Sequence, residues 1–305
     1  MLFLDEAEAL QASRQIKAEI FLYKARIHSL QFNSAMADFY TKKFVVITPF
    51  FKFDEDEQSE ILLVARQSKI SPRFGLGVSY AMNSLLINNI SNSSLISSSD
   101  ETNVSNISHF YDFSLGINAE WYFYRVSSIY SEINFTRFNF VRKTLVGDIS
   151  NTETYFNLHY IQLPIGLKFD LAPIYFYSRA KFFNFYVSGG IYGSRLNGSK
   201  AYAGGYTEFY DDLNAISMNN YFNRYIYGYW TSVAFAYRIR KIKISLAMRY
   251  QQDLAQVNAS VAQYALGTGD ELLFNHYQII DNMYFSNIAL QFGATYHIRY
   301  KIFKD

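Results

Sequence analysis

Residues 284–301 read YFSNIALQFGATYHIRYK. Tyr284, Ser286, Ile288, Leu290, Phe292, Ala294, Tyr296, Ile298 and Tyr300 fall on one face of an extended chain. Phe285, Asn287, Ala289, Gln291, Gly293, Thr295, His297, Arg299 and Lys301 fall on the other. Successive side chains of a β-strand point to opposite sides, so this is one strand with an apolar face and a face of polar or small residues. The alternation lasts about 17 residues, where strands average five or six and a tilted strand crossing a bilayer needs about 9–11.

Working toward the N-terminus, the same split recurs over 241–253, 224–240, 183–194, 155–171, 127–141, 109–124 and 74–86. In 155–171, Ile161, Leu163, Ile165, Leu167 and Phe169 oppose Gln162, Gly166 and Lys168. In 127–141, Ile129, Ile133 and Phe135 oppose Glu132, Asn134 and Thr136; the pattern then slips near Arg137, which predicts a β-bulge. Long connections are expected at 87–108, 142–154, 195–223 and 254–283. Short ones are expected at 125–126 and 240–241, with a medium one near 171–182. Eight strands with short turns at one end and long loops at the other form the pattern of a transmembrane barrel.

Composition agrees with strands. The 305 residues include 27 Tyr and 28 Phe, types that favour pleated, half-buried surfaces and membrane interfaces. No apolar run reaches the length of about 18 residues that a transmembrane helix needs. There is no cysteine, which excludes disulfides and thiolate chemistry. A net charge of +2 makes no electrostatic case for nucleic acid. The polar rows are rich in Gly, Ala, Ser and Asn, which suit a narrow barrel interior; a water-facing exterior would carry more Lys and Glu. The fold expected is therefore an all-β, transmembrane antiparallel up-and-down β-barrel of eight strands over 71–305. Ile161, Leu163, Ile165, Leu167, Phe292, Tyr296 and Ile298 are expected to point outward. A soluble lipocalin-like binding barrel, with these rows turned inward, is the alternative.

Residues 1–70 differ. Ile16, Ile20, Tyr23, Ile27 and Leu30 recur at helical spacing, predicting a helix over 7–32. Residues 44–53 and 61–67 flank the acidic run DEDEQSE as a candidate hairpin, which would extend the wall to ten strands. This segment is expected on the short-turn side, the periplasm. Residues 1–17 (MLFLDEAEALQASRQIK) lack the features of a secretory signal, so a further upstream segment is expected in the native protein.

The segment YIQLPIGLKFDL (160–171) resembles a strand of the PorT-like outer-membrane β-barrel family of Bacteroidetes, and FNFYVSGGIYGSRL (183–196) resembles that family's next strand. Gln291, Gly293, Tyr296 and Ile298 look like the C-terminal signal read by the outer-membrane insertion machinery. The resemblance covers about residues 72–303. It implies an eight-stranded barrel in the bacterial outer membrane, with outer-membrane lipid, the insertion machinery and other envelope or secretion proteins as partners. Two features depart from it: the chain ends in Lys304-Asp305 rather than on an aromatic residue, and 1–70 have no counterpart.

No nucleophile elbow, metalloprotease, phosphate-loop or dinucleotide motif stands in a suitable context. The five histidines lack ligand spacing, so neither metal nor cofactor is expected. Asp211-Asp212 and Asp270-Glu271 fall in predicted outer loops, with calcium binding as the sharper alternative to solvation. Glu120 and Glu132 lie on polar rows of adjacent strands, about opposite each other, and like charges there need cations. Lys168, Lys243, Arg249 and Arg299 are the candidates, at least one of them expected to bridge both carboxylates and lock the interior. The function expected is structural or accessory, in a secretion or envelope complex; a rim-sited barrel enzyme and a small pore are the alternatives.

Overall fold

The computed structural model describes residues 4, 13–51, 53, 57–68, 70–90, 106–109, 111–124, 126–146, 150–178, 181–203, 216–258 and 282–302. Eight long strands form the wall: β1 (Ile70–Ile90), β2 (Tyr111–Tyr122), β3 (Ser127–Val146), β4 (Ser150–Ser178), β5 (Lys181–Ala203), β6 (Tyr225–Ile239), β7 (Ile242–Asp253) and β8 (Asn282–Ile302). Each pairs antiparallel with its chain neighbour, and β8 closes on β1 from Ile70↔Ile302 to Ile90↔Asn282. Two short pieces, Asn106–His109 and Ile216–Ser217, pair with β3 and β5. Closure leaves no open edge between the wall strands.

Some connections are shorter than the sequence suggests. Residues 142–154 are not a long loop, because the β3–β4 ladder runs on to Val146↔Ser150. Likewise 171–182 is mostly ladder, with Ser178 paired to Lys181.

The outward rows are apolar and exposed. Leu163, Ile165, Leu167, Phe292, Tyr296 and Ile298 are exposed, and Ile161 is half-buried. The apolar row runs from Ile288 to Ile298 on β8, from Ile242 to Tyr250 on β7 and from Ile161 to Leu171 on β4. Each stretch spans about 9–11 residues, the length that crosses a bilayer at a tilt. Trp121, Phe123 and Phe169 stand toward the turn end of the belt, and Tyr225 and Tyr227 toward the loop end.

Near Arg137 the structure refines the sequence reading. The β3–β4 register passes through this point without a shift, whereas on its other side the β3 ladder ends at Ser114↔Thr136 and resumes one residue out of step at His109↔Phe140; the rows of β3 keep their parity throughout. What changes is the chemistry of the two faces. Beyond Thr136 and Gln162, the inward positions become Phe138, Phe140, Phe156, Leu158 and Tyr160, all buried. They pack with Leu196, Met218, Phe222, Ile226, Val257, Met283 and Phe285 into one core at the loop end. The outward positions become Arg137, Asn139, Asn157 and His159, partly or fully exposed. On β3 and β4 the wall is thus apolar outside and polar inside at its turn end, and the reverse at its loop end.

Among its described residues the N-terminal segment folds as three helices: α1 (Arg14–Leu30), α2 (Ser34–Ile47) and α3 (Ser59–Gln67). Ser13 caps α1 by accepting from Ile16 N, and Asn33 caps α2 by accepting from Met36 N. The predicted hairpin does not form: Phe44 to Ile47 end α2, and 61–67 lie in α3, so among the described residues no ninth or tenth long strand joins the wall. The physical reason is helical periodicity. Ala37, Thr41, Phe44 and Val45 share one buried face of α2, as Ile61 and Ala65 do on α3. Ala18, Phe21, Leu22, Phe44, Val45 and Ala65 form the helical core, and Ile70 packs against it. The start of α1 meets the end of α2, where Arg14 Nη2 donates to the Ile47 carbonyl at 3.2 Å. Phe50 contacts Tyr300 of β8 edge-on at 5.6 Å, which docks the unit at the turn end of the wall. Arg26 pairs with Glu57 at 2.5 Å, and its hydrogen bonds hold that carboxyl below the ordinary glutamate value of 4.5, against the opposing effect of burial.

Candidate functional site

Between the turns and the apolar core, the lumen holds two buried ionic clusters at successive levels. Glu120 on β2 is the centre of the first. Its carboxylate accepts from Lys168 Nζ of β4 at 2.9 Å and from Lys243 Nζ of β7 at 2.5 and 2.6 Å. The Tyr122 hydroxyl donates to it at 2.7 Å, and His297 Nε2 lies 3.9 Å away. Lys168 Nζ also sits 3.6 Å from the centroid of the Tyr186 ring. The two lysines reach Glu120 from distant strands of the ring, so the cluster ties the wall together across its interior.

Glu132 on β3 is the centre of the second. Arg249 Nη2 of β7 donates to it at 2.8 Å and Gln291 Nε2 of β8 at 2.8 Å, with the Ser79 hydroxyl of β1 as third donor. The Arg249 guanidinium lies 4.9 Å from the Trp230 ring and bonds the Tyr130 hydroxyl at 3.2 Å. Gly116 makes room for this cluster: a Cβ there would collide with Asn134, Ser79 and Glu132. Above it, Asn83 bonds Ser114 and Asn287, and Thr136 bonds Ser114 and Gln162. Tyr192 donates to Asp253 just below the apolar core.

These placements refine the sequence reading at three points. Glu120 and Glu132 are not opposite each other, because Glu120 pairs with Tyr130 and Glu132 with Asn118. The reason is that the ladder pairs Tyr122 with Ser128, which leaves the two glutamates two residues out of register. Among the described residues no cation bridges the two carboxylates; each has its own partners. Arg299 stays out of the lumen. It is exposed, with φ at 56°, and the alternation breaks there between exposed Ile298 and buried Tyr300. Tyr122, His297, Ser79, Gln291, Tyr130 and Trp230 also take part; all lie on the inward rows, so parity alone could have found them.

Glu120 and Glu132 are 3% and 1% exposed. A buried charge stripped of its partner is costly, whereas a fully bonded pair is held in place. The cavity beside Glu120, Tyr130 and Arg249 measures 20 Å³, and the one beside Tyr160, Tyr192 and Asp253 measures 10 Å³. Each has room for about one water, so side chains nearly fill the lumen beside these two clusters. Among the described residues no group of three His, Asp or Glu could hold a metal ion. Asp211, Asp212, Asp270 and Glu271 lie outside the described residues. Of the C-terminal signal residues, Gln291 is inward and bonded to Glu132, Gly293 is half-buried beside Ser245, and Tyr296 and Ile298 are exposed.

No protein-family model matches the chain, and no curated protein sequence matches it. Among solved structures it resembles the outer membrane protein OprG from Pseudomonas aeruginosa, with 12% identity over 75% of this chain and 97% of that one and a TM-score of 0.41. Neisserial surface protein A gives 12% identity over 75% and 99%, with a TM-score of 0.37. Outer membrane protein AlkL, solved in lipid bilayers, gives 8% identity over 82% and 96%, with a TM-score of 0.39. Nothing functional follows from likeness at that level.

Proposed function

We propose that the chain is an integral protein of a bacterial outer membrane, with a plugged barrel, and that it serves as a structural or accessory component of a secretion or envelope complex. The observation that carries this reading is the exposed apolar belt around a polar, ion-paired interior. Each large apolar side chain left in water forgoes roughly 1.5–3 kcal/mol of burial, whereas in hydrocarbon the belt is well solvated. Ring closure pairs the backbone groups that lipid could not satisfy. A lipocalin-like barrel would need the same rows inside. The filled lumen favours a plug over a pore, and the full bonding of Glu120 and Glu132 favours scaffold over catalysis.

The helices share the end of the barrel that carries the short turns, which is the periplasmic end in this class of barrel. The accessory role takes its support from the resemblance of 160–171 and 183–196 to PorT-like strands, and Gln291, Gly293, Tyr296 and Ile298 then serve as the insertion signal. Folding the purified chain into lipid vesicles tests the reading. Heat-modifiable electrophoretic mobility, protection of the belt strands from protease and no steady conductance are expected. Failure to partition into vesicles would end the membrane assignment, and a stable conductance would end the plug. Co-purification from native membranes without other envelope proteins would end the accessory role.

A further inference from the structure

We propose that the turn-side rim formed by β6, β7, β8 and β1 binds the phosphate of an anionic phospholipid through Arg73, Arg240, Lys241 and Arg299. The inference rests on the membrane reading and adds to it a ligand class and the residues that hold it. Arg240 and Lys241 form the turn between the paired residues Ile239 and Ile242. The Lys241 carbonyl accepts the His297 N–H at 2.7 Å, which sets this turn two residues from Arg299. Arg73 lies across the β1–β8 ladder from Arg299, between the pairs Pro72↔Tyr300 and Phe74↔Ile298. Arg73, Arg240 and Arg299 are exposed, and Lys241 is half-buried. None of the four has a carboxylate in ion-pair distance among the described residues. Like charges facing across a ladder repel, so this arrangement calls for an anion that the described chain does not supply.

The backbone gives a second, independent observation. Among the described residues three non-glycine residues hold a left-handed φ, and Arg240 (53°) and Arg299 (56°) are two of them. Glycine takes this conformation without the steric penalty of a Cβ, and tight hairpin turns commonly select it. At both positions the fold would be served better by glycine, yet each holds arginine. Backbone stability does not account for that choice; a use for the guanidinium does.

Continuity with the belt points to lipid rather than to an acidic peptide. The Arg73 guanidinium lies 5.4 Å from the Phe74 ring centroid, and Lys241 Nζ lies 5.9 Å from that of Tyr296. Ile239 and Ile242, flanking the turn, and Ile298, beside Arg299, are exposed residues of the belt. Long cationic side chains lie along apolar surface and extend their heads to the polar layer, and a guanidinium matches phosphate oxygens two at a time.

The test uses the full chain in nanodiscs of phosphatidylethanolamine with a minority of phosphatidylglycerol, followed by mild detergent extraction and native mass spectrometry of the retained lipid. Preferential retention of phosphatidylglycerol is expected. The Arg240→Gly, Arg299→Gly double variant should cut that preference by about tenfold or more, since each cation near a membrane surface contributes measurably to anionic-lipid affinity. Its thermal midpoint should stay level or rise, because glycine suits both backbones. Unchanged retention would overturn the proposal, as would a lower midpoint, which would assign the arginines to the fold. Inorganic phosphate or poly-glutamate binding the detergent-solubilised protein as tightly as phosphatidylglycerol does would overturn the lipid assignment. A chain that inserts normally but shows no anionic preference refutes the site alone, whereas a chain that inserts into no disc refutes the membrane reading beneath it.

Discussion

Strand β4 passes through two regions of opposite design. At its turn end Leu163, Ile165 and Leu167 are exposed while Gln162 and Lys168 are buried. At its loop end His159 is exposed and Asn157 half-exposed, while Phe156, Leu158 and Tyr160 are buried. The β3–β4 register is unbroken between them, and β4 keeps its alternation even though its pairing with β5 shifts by one residue at His159/Tyr160, so the same row faces inward in both regions while its surroundings differ. An apolar solvent outside favours an ionic interior fastened by hydrogen bonds; water outside favours an apolar core. The level of Thr136 and Gln162, where the two designs meet, therefore marks the outer limit of the belt on β3 and β4.

The comparison breaks most directly at the ionic level. Glu120→Ala strands Lys168 and Lys243 in the lumen without their carboxylate and should cost about 3–5 kcal/mol in urea unfolding from vesicles. A loss under about 1 kcal/mol would mean that the lysines find water, and that the turn-end interior is wetter than its packing implies. At the loop end, Phe156 stacks on Phe140 at 4.8 Å and meets Phe222 edge-on at 6.0 Å. Phe156→Ala should cost about 3–4 kcal/mol and open that end to protease while leaving vesicle insertion intact. Insertion lost with it would merge the two regions into one cooperative unit.

Two smaller effects locate the boundary and test the helices. Ile165→Arg, in the middle of the belt on β4, should cost about 2–4 kcal/mol, whereas His159→Arg on the same strand should stay near zero. Equal costs would move the boundary beyond His159. On the proposed reading the helical unit stands in water, and its Arg26–Glu57 pair should report pH. Because the folded Glu57 carboxyl titrates below its ordinary value, the pair's contribution is present above pH 4.5 and fades as pH falls through the lower folded value. Arg26 is 37% exposed, so solvent screening limits the effect to less than about 1 kcal/mol. Glu57→Gln should flatten the acid limb of α1–α3 unfolding followed by circular dichroism, and an unaltered limb would assign it to other carboxylates.

The sequence by itself determined the eight strands, their antiparallel order and the parity of their rows. A two-residue period is a property of the extended chain and needs no partner to be visible. Alternation in 284–301 and 155–171 thus separated Leu163, Ile165 and Phe292 from Gln162, Lys168 and Gln291 before any neighbour was known. Only the tertiary structure decided what each face looks at. Phe138 and Phe140 read as a phase slip because their row had been assigned to a polar interior, and the row keeps its direction while the interior changes. Partner choice was equally hidden: Glu120 meets Lys168 and Lys243 because ring closure brings β2, β4 and β7 to one level, which depends on registers spread over more than a hundred residues. Helices α2 and α3 were hidden because Phe44, Val45, Ile61 and Ala65 become one core only when the helices meet. Arg299 was misplaced because a single left-handed residue ends the alternation, and no local pattern announces a backbone conformation that arginine rarely adopts.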